Sequence, residues 1–321
     1  MINMANFPKA SKYWYMGKFY DWPEHTIHPM AHGLHYGTIV FEGIRAYPTA
    51  KGAAVFRLRE HTERFLYSAG VAKMVPPYDA AAINDVIKKV VRENKLASCY
   101  IRPLLFYSYG NLGLVPKASP VEFLCSAWEW AAYLGENADA GTSVYILPVR
   151  RIHHSQVDMK AKLGGLYILS TIGGLEARAQ GCDEAVFLNL EGRVAEGPGE
   201  NIFVIKKGVV KTNDRSESIL EGITRTSLLE VATDLGLKTA VGPITKDDFL
   251  GADEAFFTGT AVEIIPVTKA VDGSDPKAGR KEYKIGGGRP GEVTAKLKNR
   301  FFEIITGKVP RFEKWLTYVN D

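Results

Sequence analysis

The segment from His153 to Phe203 constrains the chain most, because it combines a lysine set among apolar residues with two glycine-containing turns. Lys162 lies between Ala161 and Leu163, just before a Gly-Gly step. Further along, Glu196 lies in a loop bounded by glycines. A lysine in water is almost wholly protonated, so burial between apolar neighbours is what would make its amine a nucleophile.

Lys162 and Glu196 together predict a pyridoxal phosphate site. The amine of Lys162 can condense with the cofactor aldehyde. The carboxylate of Glu196 can keep the pyridine nitrogen protonated, so that the ring withdraws electrons. Taken singly, each residue is more simply interpreted as a solvated surface charge, since the chain has 40 Lys and Arg and 36 Asp and Glu. The prediction therefore depends on the order of motifs along the whole chain.

The composition is that of a globular protein with a sizeable core, since 46% of the 321 residues are hydrophobic. A formal net charge of +4 is too small to indicate a nucleic acid or membrane partner. Cys99, Cys125 and Cys182 lack metal-ligand spacing, so we expect reduced cysteines and no metal site. The sequence has neither a secretion-signal pattern at its start nor an apolar run long enough to cross a membrane. We therefore expect a cytoplasmic protein.

Hydrophobic periodicity predicts strands and helices in alternation. Residues 13–20 are aromatic on both sides of a Gly-Lys turn, which is typical of a hairpin. Residues 79–96 have apolar side chains at helical spacing and predict a scaffold helix. Residues 272–290 are rich in glycine and charge and predict a surface loop, followed by a helix from Val293.

A polar, glycine-bounded stretch at 135–141 predicts a linker between two domains. The small N-terminal domain would then be residues 1–134. The large C-terminal domain, residues 142–321, would bind the cofactor.

Two motifs of the first domain place large side chains among glycines or along a strand. In HGLHYGTIVFEGIRAY, residues 32–47, glycines indicate close backbone approach, with Tyr36 and Phe41 between them. The simpler alternative is a glycine-bent core strand.

In residues 98–110, alternation puts Tyr100 and Arg102 on one face of a strand. An arginine among apolar neighbours needs a partner, and an acidic ligand could be that partner.

Gly222 precedes a predicted helix, and a helix N-terminus with free N–H groups after a glycine can bind phosphate. The amides of Ile223 and Thr224 and the hydroxyl of Thr224 would supply the donors. Many ordinary capped helices have the same pattern, so this motif is not specific alone.

These motifs, in this order, resemble the class IV (fold-type IV) pyridoxal phosphate aminotransferases, and the branched-chain amino acid aminotransferases most closely. The resemblance extends from residues 32–47 to residues 293–307. It implies an α+β fold with two domains, like that of D-amino acid aminotransferase, with the cofactor between the domains. It also implies a homo-oligomer, a dimer or a hexamer, whose pocket residues are shared across the interface.

The resemblance implies a role for each residue that matches a family motif. Lys162 would be the catalytic residue, and Arg59 would bind the cofactor phosphate. The cofactor-binding residues would be Arg59, Lys162, Tyr167, Glu196, Leu220, Ile223, Thr224 and Thr260. The substrate-binding residues would be Tyr36, Phe41, Tyr100, Arg102, Trp130, Tyr133, Thr260 and Ala261. Among these, Arg102 would receive the distal carboxylate of glutamate.

The implied reaction is reversible amino transfer between leucine, isoleucine or valine and 2-oxoglutarate, so the partners would be small amino acids and 2-oxo acids. D-amino-acid aminotransferases of this fold have Arg-x-His where this chain has Tyr100-x-Arg102. A D-amino acid or (R)-amine transaminase and a 4-amino-4-deoxychorismate lyase-like enzyme are alternatives within the fold. A non-catalytic protein that retains the fold as a binding module is an alternative of another class.

Overall fold

A computed structural model of the chain describes residues 10–22, 24, 27–130 and 140–320. In chain order the strands are β1 (Lys12–Tyr15), β2 (Lys18–Asp21), β3 (Ile39–Phe41), β4 (Ile44–Thr49), β5 (Gly52–Phe56), β6 (Cys99–Tyr107), β7 (Val121–Trp128), β8 (Thr142–Arg150), β9 (Glu184–Leu188), β10 (Asn201–Lys206), β11 (Val209–Thr212), β12 (Lys238–Val241), β13 (Glu254–Gly259), β14 (Glu263–Asp272), β15 (Lys281–Lys284) and β16 (Leu316–Tyr318). The helices are α1 (His32–Tyr36), α2 (Leu58–Val71), α3 (Ala80–Glu93), α4 (Tyr167–Ala179), α5 (Ile223–Asp234), α6 (Lys246–Leu250) and α7 (Glu292–Ile305). Within the described residues, no helix combines the length and apolar character that crossing a bilayer requires.

The described residues divide into two compact units. Unit 1 is drawn from Met1–Ala131, Ala161–Gly165 and Glu303–Asp321, and unit 2 from Ala132–Lys160 and Leu166–Phe302. The division differs from the predicted domains, which assigned all residues after 141 to one domain. Unit 1 includes the end of the chain because β16 pairs with β5. It includes the segment around Lys162 because Leu163 forms a β-bridge with Val40. Residues 135–139 of the predicted linker lie outside the described residues.

Unit 1 contains a sheet in the order β16-β5-β4-β6-β7-β1-β2, with β3 also pairing with β6. The predicted hairpin is confirmed, since β1 and β2 pair antiparallel with Tyr15 opposite Lys18. The predicted scaffold helix is confirmed as α3, and the Asp79 carboxylate caps its N-terminus by accepting from the Ala82 N–H. The apolar stripe of this helix is buried: Ile83, Val86, Ile87, Val90 and Val91. The stripe forms one core with residues of the sheet.

The segment 32–47 is not a single bent strand. It forms α1, a turn, and then β3 and β4. Gly37 ends α1 with a φ of 63°, a left-handed conformation that glycine adopts without strain. A Cβ at Gly37 would lie 2.9 Å from the Cα of Gly165, so the two backbones approach closely. This approach holds the segment after Lys162 against the residues that precede β3.

Unit 2 contains a sheet in the order β12-β11-β10-β13-β14-β8-β9, with β15 also pairing with β14. The prediction of a surface loop across residues 272–290 was wrong at β15, which pairs antiparallel with β14. This short edge strand has mostly exposed charged side chains, so it lacks the apolar alternation by which strands are recognised. The helix predicted from Val293 is confirmed as α7, whose first N–H groups donate to the carboxylate of Glu254.

Candidate active site

The backbone of Lys162 is held from two sides within unit 1. Its N–H donates to the Ser68 hydroxyl oxygen at 2.9 Å, and its carbonyl accepts from the Phe41 N–H at 3.4 Å. The Gly-Gly step that follows is needed for space, because a Cβ at Gly164 would lie 3.0 Å from the Cβ of Ile39. The glycines noted in the sequence thus let this segment lie directly on β3.

Two cationic side chains lie close to the ring of Phe41. The amine nitrogen of Lys162 is 4.8 Å from the ring centroid, and the Cζ of Arg102 is 4.6 Å from the same centroid. Arg102 also donates from Nη2 to the Tyr100 hydroxyl at 2.9 Å. The Tyr100 ring stacks on Trp130, with the centroids 4.7 Å apart. Four predicted substrate residues and the predicted catalytic lysine therefore lie together.

Arg102 has an unused donor that suits an acidic ligand. Its Nε is buried and has no hydrogen-bond partner among the described residues. A buried donor of this kind costs free energy unless a ligand or water satisfies it. The prediction that Arg102 needs an acidic partner is consistent with this arrangement.

Tyr36, another predicted pocket residue, has different neighbours in unit 1. It ends α1, is 46% exposed, and donates its hydroxyl to the carbonyl of Leu112 at 3.1 Å. Its ring centroid is 4.6 Å from that of His32. Tyr133, predicted beside it, lies outside the described residues.

Arg59, the predicted phosphate-binding residue, lies at the start of α2 in unit 1. The Arg59 side chain is 85% exposed and pairs with Glu63 one turn along α2. The arginine of α2 that points inward is Arg64, whose side chain is 12% exposed. Its Nε and Nη2 donate to the two carboxylate oxygens of Glu42 at 2.6 and 2.8 Å.

Sequence reasoning missed Arg64, although helical spacing could have found it. Arg64 is three residues after His61, and both belong to the face of α2 that contacts Glu42. Arg59 lies five residues before Arg64. At 3.6 residues per turn this places the two arginines about 140° apart around the helix.

Glu42 forms a buried charged cluster with His61 and Arg64. Its side chain is fully buried, and the Nδ1 of His61 lies 2.8 Å from Glu42 Oε2. Burial alone would raise the pKa of Glu42, but the charge and hydrogen bonds of Arg64, with help from His61, hold it well below its usual range. Burial lowers the pKa of His61, and the nearby charges of Arg64 and Lys162 lower it further. His61 is therefore neutral at pH 7 and donates from Nδ1 to an ionised Glu42.

In unit 2, Glu196 is buried and has partners on several sides. One carboxylate oxygen lies 2.8 Å from Nη2 of Arg151, and the other accepts from the Leu220 N–H at 3.0 Å. The Asn201 amide nitrogen is 3.4 Å from the second oxygen. These contacts favour the ionised carboxylate. Sequence reasoning missed Arg151, and its place just after a strand that is largely buried was the available signal.

The turn before α5 is tied to the Glu196 loop by Asn201. The side chain of Asn201 donates to the carbonyl of Leu220 at 2.8 Å and accepts from the Gly222 N–H at 3.0 Å. A Cβ at Gly222 would lie 2.3 Å from the Asn201 amide oxygen, so this close contact requires glycine. The first turn of α5 has no side-chain cap among the described residues, which leaves the amides of Ile223 and Thr224 suited to an anion.

The remaining predicted residues of unit 2 lie in a turn and at a helix start. Thr260 and Ala261 form the turn between β13 and β14. That turn packs against the Glu196 loop, since a Cβ at Gly259 would be 3.2 Å from the carbonyl oxygen of Gly199. Tyr167 is the first residue of α4.

The residues of each unit suit pyridoxal phosphate. Unit 1 offers an amine beside an aromatic ring and an exposed arginine at the start of α2, and unit 2 offers a buried carboxylate and an uncapped helix N-terminus. Among the described residues, no group of three or more His, Cys, Asp or Glu is arranged to hold a metal ion.

Comparisons with known proteins agree with this chemistry. The family model for amino-transferase class IV matches residues 39–270. A branched-chain-amino-acid aminotransferase of Pseudomonas aeruginosa is 44% identical over 309 residues, which cover 96% of this chain and 97% of the relative.

Two solved structures support the same relationship. The T.th. branched-chain amino acid aminotransferase with pyridoxamine 5'-phosphate has a TM-score of 0.90 at 43% identity, covering 98% of this chain and 100% of that one. The same enzyme complexed with N-(5'-phosphopyridoxyl)-L-glutamate has a TM-score of 0.90 at 41% identity, with the same coverage. With its predicted α+β fold, the chain therefore belongs to the class IV aminotransferase family.

Proposed function

We propose that this chain catalyses reversible amino transfer between leucine, isoleucine or valine and 2-oxoglutarate, with pyridoxal 5'-phosphate as cofactor. The observation that carries the proposal is the placement of the Lys162 amine and the Arg102 guanidinium close to the ring of Phe41. This arrangement offers an apolar wall and a cation beside one reactive amine. A transaminase for branched-chain donors and glutamate must accept both an aliphatic and an anionic side chain.

Lys162 is the proposed catalytic residue. When bound, the cofactor ring withdraws electrons from the substrate α-carbon and so acidifies its proton. The Lys162 amine would hold the cofactor through its aldehyde and would serve as the base that takes and returns the substrate α-proton. The backbone contacts of Lys162 with Ser68 and Phe41 support this role, because proton transfer requires a well-placed base.

Glu196 is proposed to keep the pyridine nitrogen protonated. The Leu220 N–H and the Arg151 guanidinium hold its carboxylate in its ionised form and in one orientation. Leu220 and Tyr167 are proposed to lie beside the cofactor.

The cofactor phosphate is proposed to bind Arg59 together with the start of α5. Ile223 and Thr224 supply N–H groups, and Thr224 and Thr260 supply hydroxyls. The exposed guanidinium of Arg59 has the forked geometry that suits a phosphate. The uncapped first turn of α5 adds the favourable end of a helix dipole.

The proposed substrate pocket has an apolar part and two anion-binding parts. Phe41, Tyr36 and Trp130 contact the aliphatic side chain, and Tyr133 is predicted to do so. Tyr100 and the amides of Thr260 and Ala261 bind the α-carboxylate, while Arg102 binds the distal carboxylate of glutamate. The name of the Pseudomonas aeruginosa relative and the glutamate adduct in the T.th. structure support this choice of substrates.

We also propose that the chain works as a cytoplasmic homo-oligomer, a dimer or a hexamer, acting on small molecules alone. Exposed apolar side chains support the assembly, because a lone soluble chain rarely leaves them clustered. In α4, Ile168, Ile172 and Leu175 are 63%, 51% and 64% exposed at helical spacing. In unit 1, Leu114 and Val115 are 76% and 63% exposed.

Absorption spectra of the purified protein with pyridoxal phosphate test the function. We expect a visible band that is lost on adding L-leucine and restored by 2-oxoglutarate. Lys162→Ala should lack both the band and turnover. Faster amino transfer from D-alanine or (R)-1-phenylethylamine would favour the alternatives within the fold. A band that no amino donor removes would favour a non-catalytic binding protein.

A further inference from the structure

We propose that Ser68 is a positioning residue for the reaction, which holds the main chain of Lys162 so that its amine stays beside the Phe41 ring. The inference rests on the proposed catalytic role of Lys162. Ser68 lies in α2, is fully buried, and lies 94 residues before Lys162 in the chain.

The Ser68 hydroxyl makes two contacts, one as donor and one as acceptor. It donates to the Arg64 carbonyl one helical turn earlier at 2.8 Å, which directs an oxygen lone pair away from the helix. The Lys162 N–H donates to that oxygen at 2.9 Å. One side chain thus contacts the backbone of Arg64, in its own helix, and that of the proposed catalytic residue Lys162.

The helix itself does not require this hydroxyl. Serine is a weaker helix former than alanine, and its bond to the carbonyl four residues earlier slightly destabilises or bends a helix. The serine at position 68 therefore contributes through its hydrogen bond with the Lys162 backbone rather than through the stability of α2.

The second backbone contact of Lys162 belongs to the same buried region. Its carbonyl accepts from Phe41, and the next residue, Glu42, is fixed by Arg64 and by its own N–H bond to the Pro103 carbonyl at 3.0 Å. Ser68 and Phe41 thus each form a hydrogen bond with one of the two backbone polar groups of Lys162. Loss of the Ser68 contact would remove the acceptor at the Lys162 N–H, while the carbonyl contact with Phe41 is long at 3.4 Å.

The test compares Ser68→Ala with Thr62→Val. Thr62 lies on the same helix, is 2% exposed, and donates its hydroxyl to Asn84 at 2.5 Å, so Thr62→Val removes a buried hydroxyl of α2 that does not contact Lys162. In the apo protein, amide hydrogen exchange in peptides spanning Lys162 should be about five- to tenfold faster in Ser68→Ala, as expected for one lost hydrogen bond. It should be unchanged in Thr62→Val.

In the holoenzyme, Ser68→Ala should lower kcat about tenfold, with KM for L-leucine within about twofold of wild type, because substrate binding is untouched while the base is misplaced. The pH at which the visible band titrates should also shift. Ser68→Thr keeps the oxygen and should restore the slow exchange at Lys162. Thr62→Val should keep kcat within about twofold.

The proposal is overturned if Ser68→Ala matches Thr62→Val in either exchange or kcat. Failure of the proposed function gives a different result, in which Lys162→Ala retains the visible band and turnover. The exchange measurement does not depend on the cofactor, so the two failures are distinguishable.

Discussion

The guanidinium of Arg151 lies 2.8 Å from the carboxylate of Glu196, and both side chains are 5% exposed. A buried ion pair is stable only when both partners are present, because either charge alone is costly to keep from water. Arg151 also lies over the ring of Phe187 and near the Ser170 hydroxyl, at 5.5 and 3.2 Å. The carboxylate proposed to keep the pyridine nitrogen of the cofactor protonated is thus held by a cation that the sequence motifs did not indicate.

Arg151→Met should destabilise the protein by about 3–5 kcal/mol, since it leaves the Glu196 carboxylate buried without its cationic partner. Urea unfolding of the apo protein measures this change. The double variant Arg151→Met with Glu196→Gln should recover much of the loss, because it removes both charges. If Arg151→Met lowered the free energy of unfolding by less than about 1 kcal/mol, the buried ion pair would contribute no more than an exposed ion pair.

Arg59→Lys should raise the pyridoxal phosphate concentration needed for half-reconstitution by about tenfold or more, since lysine cannot form the forked contacts of a guanidinium. The loss of the Arg59 ion pair with Glu63 should cost little stability, because that pair lies on the surface of α2. Fluorescence titration of the apo protein measures the change. A change below about twofold would contradict the assignment of the phosphate to Arg59.

Arg102→Leu should slow the half-reaction with L-glutamate by about 10- to 100-fold, because it removes a hydrogen bond to a charged group. The half-reaction with L-leucine should change by less than about threefold, because leucine has no second carboxylate. Loss of the visible band, followed by stopped flow, gives both rates. Equal slowing with the two donors would argue that Arg102 serves the α-carboxylate or the pocket structure instead.

His61→Asn should make the free energy of unfolding depend less on pH between 7 and 5. Burial and the charges of Arg64 and Lys162 lower the pKa of His61, although Glu42 opposes this shift. Near pH 6.5 the unfolded chain therefore binds a proton at His61 that the folded chain does not bind. The contribution of neutral His61 to the free energy of unfolding is complete above that pH and is lost below it. Asparagine keeps a donor toward Glu42 but cannot titrate.

Thermal midpoints at pH 7, 6 and 5 check this expectation. The wild type should lose at most about 1.4 kcal/mol per pH unit more than His61→Asn over this range. Below about pH 4.5, protonation of Glu42 should destabilise both proteins, because its folded pKa is depressed. Parallel curves from pH 7 to 5 would show that His61 keeps an ordinary pKa.

The sequence alone identified the elements whose evidence is local. The α3 stripe, the first hairpin and the start of α7 were predicted because helical and strand periodicity reflects which neighbouring residues are buried together. Family resemblance also led to Lys162 and Glu196, since their glycine-bounded settings can be recognised without knowing the fold.

Only the tertiary structure decided which side chains meet across long stretches of chain. It separated Arg64 from Arg59, because two residues on one helix face different ways and only packing determines which way is inward. It paired Arg151 with Glu196 and Ser68 with Lys162, contacts set by sheet order and by the crossing of residues 161–165 into unit 1. Periodicity carries no information about such pairs, because it records that a residue is buried and not which distant residue buries it.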